Sequence, residues 1–143
     1  MDKKTIILAA LASADGVTYT PVQIQKMLFL IDKQIPTFVG GPHFHFEPYD
    51  YGPFDAEIYV CLEQLSQEKL IEIVREEGLR WNKYRLTPEG YQKGIVLLGE
   101  LMDEAKKYIQ DVNAFVRKLS FAELVASIYK AFPEMKVNSV FRG

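Results

Sequence analysis

Positive charge and cysteine are both scarce in this sequence. Seventeen lysines and arginines face 19 aspartates and glutamates, which leaves a formal net charge of −2. A strongly basic domain is the usual mark of a nucleic-acid-binding protein, so the composition does not favour that class, although a local basic face stays open. Cys61 is the single cysteine, so no intramolecular disulfide can form. We expect a buried thiol and a reducing, cytoplasmic location.

Long hydrophobic runs are absent as well. No stretch reaches the roughly 18 apolar residues that a membrane-spanning helix needs. The N-terminus imitates a secretory signal, because Lys3 and Lys4 precede an apolar run. That run, Ile6–Ala12, is at the short limit for a signal and fits a first helix equally well. We therefore predict a protein that is neither exported nor attached to a membrane.

The sequence also lacks the common catalytic and cofactor-binding motifs. It contains no nucleophile elbow, phosphate-binding loop or dinucleotide-binding glycine pattern. His43, His45 and Glu47 alternate, so a strand would place all three side chains on one face, which is a weak candidate for a zinc site. No further histidine completes a ligand set. We expect no enzyme activity, no metal and no cofactor.

What is present predicts a mainly α protein with a small β-hairpin, an α+β fold. Thr20 is a good helix cap and Pro21 suits the first helical position, and the apolar stripe that follows leaves Lys26 on the other face. The predicted elements are helices over Lys3–Ala14, Pro21–Ile35 and Asp55–Lys69, then strands Leu70–Val74 and Arg80–Leu86. Three helices followed by a two-stranded wing are the layout of a winged helix-turn-helix domain. We assign that domain to residues 1–88.

Residues 89–143 have a different character. A seven-residue apolar repeat runs through a predicted single helix from Glu89 to Leu119. The seam of this repeat includes Ile95, Leu98, Met102, Ala105, Ile109, Val112 and Val116. The seam can zip with a second chain in a homodimer, or it can pack against a last helix over Phe121–Phe132, and both alternatives stay open. We expect residues 89–143 to form one structural unit with the winged domain and to end in a loosely held tail, Glu134–Gly143.

The connection before the third helix is unusually aromatic. It reads FEPYDYGPFD over residues 46–55, a mixture that suits neither a regular helix nor a central strand. One interpretation is a structural latch, in which its aromatic rings wedge between the second and third helices. The other is a partner-binding patch of Tyr49, Asp50, Tyr51 and Phe54, because tyrosine and phenylalanine are enriched at the cores of interfaces. The second interpretation requires Tyr49 and Tyr51 to face outward.

The wing is the second candidate surface. Its basic residues, with a tryptophan between them, are Arg75, Arg80, Trp81, Lys83 and Arg85. A winged domain normally inserts its third helix into the major groove of DNA. Here that helix holds four acids and one lysine, a charge of −3, which is the wrong sign for phosphate. A solvated hairpin, contact with DNA, and contact with an acidic protein all stay open for the wing.

Several segments together resemble a known family. IQKMLFLIDKQIP, FEPYDYGPFD, IYVCLEQLSQEKLI and YRLTPEG, spread from Ile24 to Gly90, are similar to the Panacea domain, a group of SocA-like, phage-associated proteins and related YwgA-type proteins. The resemblance implies a fold related to winged helices and an antitoxin or adaptor that acts on a partner protein, such as a toxin or a protease substrate. It brings no catalytic residues. We therefore expect a non-enzymatic protein-binding module, with a winged-helix DNA-binding regulator as the alternative.

Overall fold

The computed structural model describes residues 1–142, and over that range the chain is a mainly helical α+β protein with six α-helices. The helices are α1 (Lys3–Leu11), α2 (Pro21–Gln34), α3 (Glu57–Gln67), α4 (Pro88–Gly99), α5 (Asp103–Lys118) and α6 (Phe121–Ala131). Short 3-10 turns, Pro36–Val39 and Pro133–Lys136, follow α2 and α6. Over the same range, no helix has both the length and the apolar character that crossing a membrane requires.

Five short strands form two antiparallel sheets within these residues. They are β1 (Thr18–Tyr19), β2 (Glu47–Tyr49), β3 (Gly52–Phe54), β4 (Ile71–Val74) and β5 (Lys83–Leu86). β4 and β5 form the predicted hairpin, paired from Ile71 opposite Leu86 to Val74 opposite Lys83. β1 was not predicted; it pairs with the other edge of β5, so the order is β1–β5–β4. β2 and β3 form a separate two-stranded sheet.

Local capping explains where the helices begin. Thr20 accepts a hydrogen bond from the backbone N–H of the third helical residue, and Pro21 occupies the first position, as predicted. A capping box also forms before α6, between Ser120 and Glu123. The N-cap of α3 is Ala56 rather than Asp55, but the Asp55 Oδ1 still accepts a hydrogen bond from the backbone N of Glu57 at 2.9 Å.

The first helix lies at the centre of the core. Every residue from Ile6 to Leu11 is at most 1% exposed. Four other helices, α2, α3, α4 and α5, pack around it together with β5. The hydrophobic cluster built on α1 draws side chains from both of the predicted parts of the chain. Cys61 is buried in the same cluster, as expected, and burial, followed by the charge of Glu57, raises the pKa of its thiol.

The prediction of one continuous helix from Glu89 to Leu119 is wrong. α4 ends at Gly99, and α5 begins at Asp103 after an extended Met102. α4 packs on α1, whereas α5 packs mainly on α2. A single straight helix cannot follow both neighbours, and a glycine at the end of α4 makes the break easy.

The predicted dimer seam is therefore not a free surface. Its buried members are Leu98, Ala105, Ile109, Val112 and Val116, all within the chain's own core. These side chains cannot zip with a second chain, and α5 packs chiefly on α2 rather than on the last helix. Ile95 is half-buried and Met102 is 63% exposed. A homodimer stays a prediction, but it needs another surface.

The C-terminal tail is held rather than loose up to residue 142. The side chain of Met135 is buried. The backbone N of Val140 donates to the carbonyl oxygen of Asp50 at 3.0 Å, and the Asn138 amide donates to that of Pro48 at 3.2 Å. The tail thus lies across the turn between β2 and β3. Gly143 is outside the described residues.

Gly94 tests how closely α4 must approach α1. A Cβ atom added there would lie 2.5 Å from the Cβ of Ala12 and 2.6 Å from the carbonyl oxygen of Leu8. We expect Gly94→Ala to lower the free energy of unfolding, measured by urea denaturation, by about 1–3 kcal/mol, as overpacking does. Gly99→Ala is the matched control, because nothing lies within 4 Å of its added Cβ. It should be neutral or slightly stabilising, and equal losses for both variants would contradict the prediction.

Candidate functional site

Buried polar side chains of α2 hold the aromatic connection in place. The Asp32 carboxylate accepts hydrogen bonds from the backbone N of His43 and of Phe44, both at 2.8 Å. A carboxylate thus supplies the acceptor that a neighbouring strand would otherwise provide. The predicted strand from His43 to Glu47 is therefore wrong, because the strand begins at Glu47.

Gln25 makes a second attachment further along the connection. Its side-chain amide pairs with the backbone of Asp55 in both directions, with the Nε2 donating to the carbonyl oxygen and the Oε1 accepting from the backbone N, each at 3.0 Å. The Asp55 carboxylate in turn accepts from the backbone N of His45 at 2.8 Å. Side chains therefore satisfy backbone groups that lack a sheet partner, as burial demands.

The two histidines have different surroundings. The Nε2 of His43 lies 2.7 Å from the carbonyl oxygen of Val39, and the His45 side chain is exposed. Since residues 43–46 are not a strand, the alternation of His43, His45 and Glu47 does not bring the three together. Among residues 1–142, no group of three histidine, cysteine or acidic side chains is arranged to hold a metal ion.

The inward aromatic rings form a latch that lies only partly in the predicted place. The Phe46 ring lies 5.3 Å from Phe29 of α2 and 5.8 Å from Phe44, and Phe29 lies 4.9 Å from Phe132. All three contacts are edge-to-face, the favoured geometry. These rings join the connection to α2 and to the end of α6, whereas the Phe54 ring packs on Tyr59 of α3 at 5.8 Å, on the side where the latch was predicted.

Tyr49 and Tyr51 face outward, as the second interpretation requires. They are 52% and 42% exposed. The Tyr49 ring stacks on Phe54 at 4.8 Å, and the Tyr51 ring packs edge-to-face on Phe121 at 5.1 Å. Phe54 and Asp50, the other members of the predicted patch, are half-buried.

Two of the four basic residues of the wing are paired. The Arg85 guanidinium bonds the Glu72 carboxylate at 2.9 Å, and this hydrogen bond lowers the pKa of Glu72. Lys83 and Glu76 form a second pair at 3.0 Å. Arg75 and Arg80 are exposed, and within the part of the chain that the structure describes neither lies within 4.0 Å of a carboxylate. Half of the wing's basic residues are thus paired, and within residues 1–142 two exposed arginines keep their charge free for an anionic partner.

One member of each predicted surface, Tyr51 from the connection and Trp81 from the wing, lines the same groove. This groove has a volume of about 620 Å³. We call it the aromatic groove and define it by Thr20, Pro21, Val22, Gln23, Tyr51, Trp81, Leu119, Phe121 and Leu124. None of these side chains carries a charge at neutral pH. Trp81 and Phe121 are 50% and 47% exposed, so large apolar surfaces face solvent here.

The sequence patterns identified two of the nine residues of this groove, Tyr51 and Trp81, and missed the other seven. Phe121 and Leu124 begin α6, and Pro21 and Val22 begin α2, two helix starts that no local pattern links to each other. The available signal was Phe121, a large aromatic residue directly after the Ser120 cap, where side chains are usually solvated. Its side chain is 47% exposed, which leaves a large apolar surface open to solvent.

Lys26 lies beneath the turn between β2 and β3. It is 3% exposed, and its Nζ donates to the carbonyl oxygen of Pro53 at 3.2 Å. Gly52, at φ +102°, passes so close that an added Cβ would lie 3.4 Å from both the Lys26 Cε and the Tyr129 ring. Burial lowers the pKa of Lys26 from 10.5 to about 8. Over residues 1–142, no carboxylate lies within 4.0 Å of this ammonium group, and the buried Tyr129 hydroxyl has no hydrogen-bond partner.

The chain was compared with family models and with curated proteins. No family model matches the chain, and no curated protein matches it. The interpretation of the aromatic groove and of Lys26 therefore rests on the contacts described above.

Lys26 should make the stability of the protein depend on pH. Its pKa is about 8 in the folded chain and 10.5 in the unfolded one, so between these values the unfolded state binds one more proton. The free energy of unfolding is expected to rise with pH through this window, by up to about 1.4 kcal/mol per pH unit. Lys26→Met should abolish this pH dependence and raise the free energy of unfolding at pH 7 by about 2 kcal/mol. The reason is that the substitution removes a buried charge that has no counter-ion.

Urea denaturation at pH 7, 8 and 9 checks this expectation. These pH values lie below the range in which exposed tyrosines titrate. Lys33→Met is the matched control, because Lys33 is an exposed lysine on the same helix. It should keep both the slope and the wild-type stability. If Lys26→Met retains the rise in stability from pH 8 to pH 9, another group is responsible.

Proposed function

We propose that the chain is a non-enzymatic protein-binding module of the antitoxin or adaptor type, which binds its partner protein in the aromatic groove. The observation that carries the proposal is that Tyr51 and Trp81 line one uncharged groove with Phe121. Exposed tyrosine and tryptophan side chains on a well-packed scaffold are the residues that dominate binding energy at protein interfaces. A partner segment with apolar side chains fits this lining.

The arrangement of the first 90 residues supports a winged-helix-like domain as the scaffold. The order α1–β1–α2–α3–β4–β5 and the sheet order β1–β5–β4 are compatible with that layout. The proposed relation to the Panacea domain depends on two segments that lie in contact. The segments IQKMLFL and YGPF, on which the resemblance depends most, meet where Lys26 bonds Pro53.

Electrostatics favours a protein partner over DNA. The wing pairs Lys83 and Arg85 with carboxylates and leaves only Arg75 and Arg80 unpaired among the described residues. The helix α3 carries Glu57 and Glu63 without a lysine or arginine of its own. Nucleic-acid affinity depends on neutralising phosphates with unpaired cations. A groove without charge contributes nothing to that attraction, whereas it buries apolar partner surface well.

Alanine substitutions in the groove should separate binding from folding. We expect Trp81→Ala to weaken the partner complex by about 2 kcal/mol, roughly 30-fold in Kd, because it removes a large exposed aromatic contact. The partner is first captured from the native host with nuclease-treated wild-type bait, and Kd is then measured by calorimetry on the purified pair. Trp81 is the only tryptophan, so its fluorescence reports occupancy of the groove in the wild type.

Val96→Ala is the control for this experiment, since Val96 is 65% exposed on α4 and does not line the groove. It should bind like the wild type. All variants are checked for folding by circular dichroism. Retention of the partner by Trp81→Ala and Tyr51→Ala would contradict the proposal. Recovery of nucleic acid alone, with an affinity that falls steeply with salt, would favour a DNA-binding regulator instead.

A further inference from the structure

The hairpin of β2 and β3 is a small unit with little support of its own. Each strand has three residues, and the pair forms a sheet separate from that of the wing. Isolated two-stranded hairpins are marginally stable in water. This one depends on outside contacts: the Lys26 amine bonds Pro53 from below, and the tail bonds Asp50 through Val140. The hairpin is therefore suited to opening without unfolding of the core.

The amine of Lys26 loses its solvation when the hairpin is closed. Gly52 and the Tyr129 ring cover it, and a single backbone carbonyl, that of Pro53, accepts its hydrogen bond at 3.2 Å. An ammonium ion in such a place is less favourable than a neutral amine. If the turn lifts, the Nζ regains water. The protonated form therefore favours the lifted hairpin, and the neutral form favours the closed one.

The groups around Lys26 do not offset this charge. From α6, Tyr129 faces the turn with its unpartnered hydroxyl, and from the following 3-10 turn the Lys136 Nζ lies 5.9 Å from the centre of that ring. Lys136 adds positive charge rather than cancelling it. After β3, the Asp55 carboxylate already accepts two backbone hydrogen bonds. Within residues 1–142, no salt bridge reaches the Lys26 amine.

We propose that Lys26 is a proton-sensitive release for the β2–β3 hairpin: protonation of its buried amine favours lifting of the turn, and loss of the proton favours closure. The device goes beyond the proposed function, because it operates in the free chain. Its effect on the aromatic groove follows from position. Tyr51 lies directly before Gly52, so the wall of the groove that Tyr51 forms moves with the turn.

Hydrogen exchange resolved by residue tests the proposal without a partner. Protection factors, corrected for the intrinsic pH dependence of exchange, are measured from pH 6 to pH 9.5 for the amides of Tyr49, Gly52 and Phe54, residues that pair across β2 and β3. We expect them to be constant below about pH 7.5 and to rise by up to about tenfold between pH 8 and pH 9. The amides of the wing strands β4 and β5 should show no such rise if they exchange by their own local opening.

Variants assign the effect to Lys26. In Lys26→Met the hairpin amides should lose the pH profile and be at least about tenfold better protected at pH 7, whereas Lys33→Met should follow the wild type. A flat wild-type profile, or an unchanged profile in Lys26→Met, overturns the proposal. If Lys26→Met does not fold, the wild-type profile and its comparison with the wing decide. These measurements use the free chain and do not depend on whether a partner is captured. The two proposals can therefore be contradicted separately.

Discussion

The structure depends on the complete burial of residues Ile6 to Leu11 of α1. A helix that is apolar on every side, as from Ile6 to Leu11, must be covered on every side. The first 88 residues cover part of it, and α4 and α5 cover the rest. At its C-terminal end, unpaired carbonyl groups need donors. Asn113 of α5 reaches the carbonyl oxygen of Ala10 at 3.0 Å, and the Tyr19 hydroxyl donates to that of Leu11 at 2.9 Å. The chain after residue 89 must therefore turn back over α1, which a straight coiled-coil helix does not allow.

A second constraint follows from the short strands of the connection. Backbone groups between residues 43 and 55 have few sheet partners, and α2 supplies the missing ones from the buried side chains of Gln25, Lys26 and Asp32. With the backbone fixed in this way, Phe44 and Phe46 point into the core while Tyr49 and Tyr51 point out. Latch and exposed patch are therefore not alternatives. They are two ends of one segment, and the buried end fixes the position of the exposed end.

Features decided within a few residues could be predicted from the sequence. The caps at Thr20 and Ser120 and the wing hairpin are of this kind, because their hydrogen bonds join near neighbours. Features decided by distant packing could not. The break after Gly99 reflects two different partners for α4 and α5, and β1 exists because Tyr19 pairs with Tyr84 across the sheet. Helical periodicity assigns Lys26 to solvent, yet the connection folds over it. The groove joins four segments that are far apart in the sequence.

Lys26 and the aromatic groove belong together in energetic terms. A buried ammonium without a carboxylate destabilises the fold, and a methionine of similar size would fill the same space without that cost. Destabilising features of this sort are commonly found where a segment has to move or bind. The segment above Lys26 is the one that presents Tyr49 and Tyr51. The buried amine of Lys26 and the exposed aromatic surface thus lie on opposite sides of the same eight-residue hairpin. The turn that presents Tyr51 is also the turn that covers Lys26. Contact at Tyr51 and protonation of Lys26 therefore both influence whether this turn is closed.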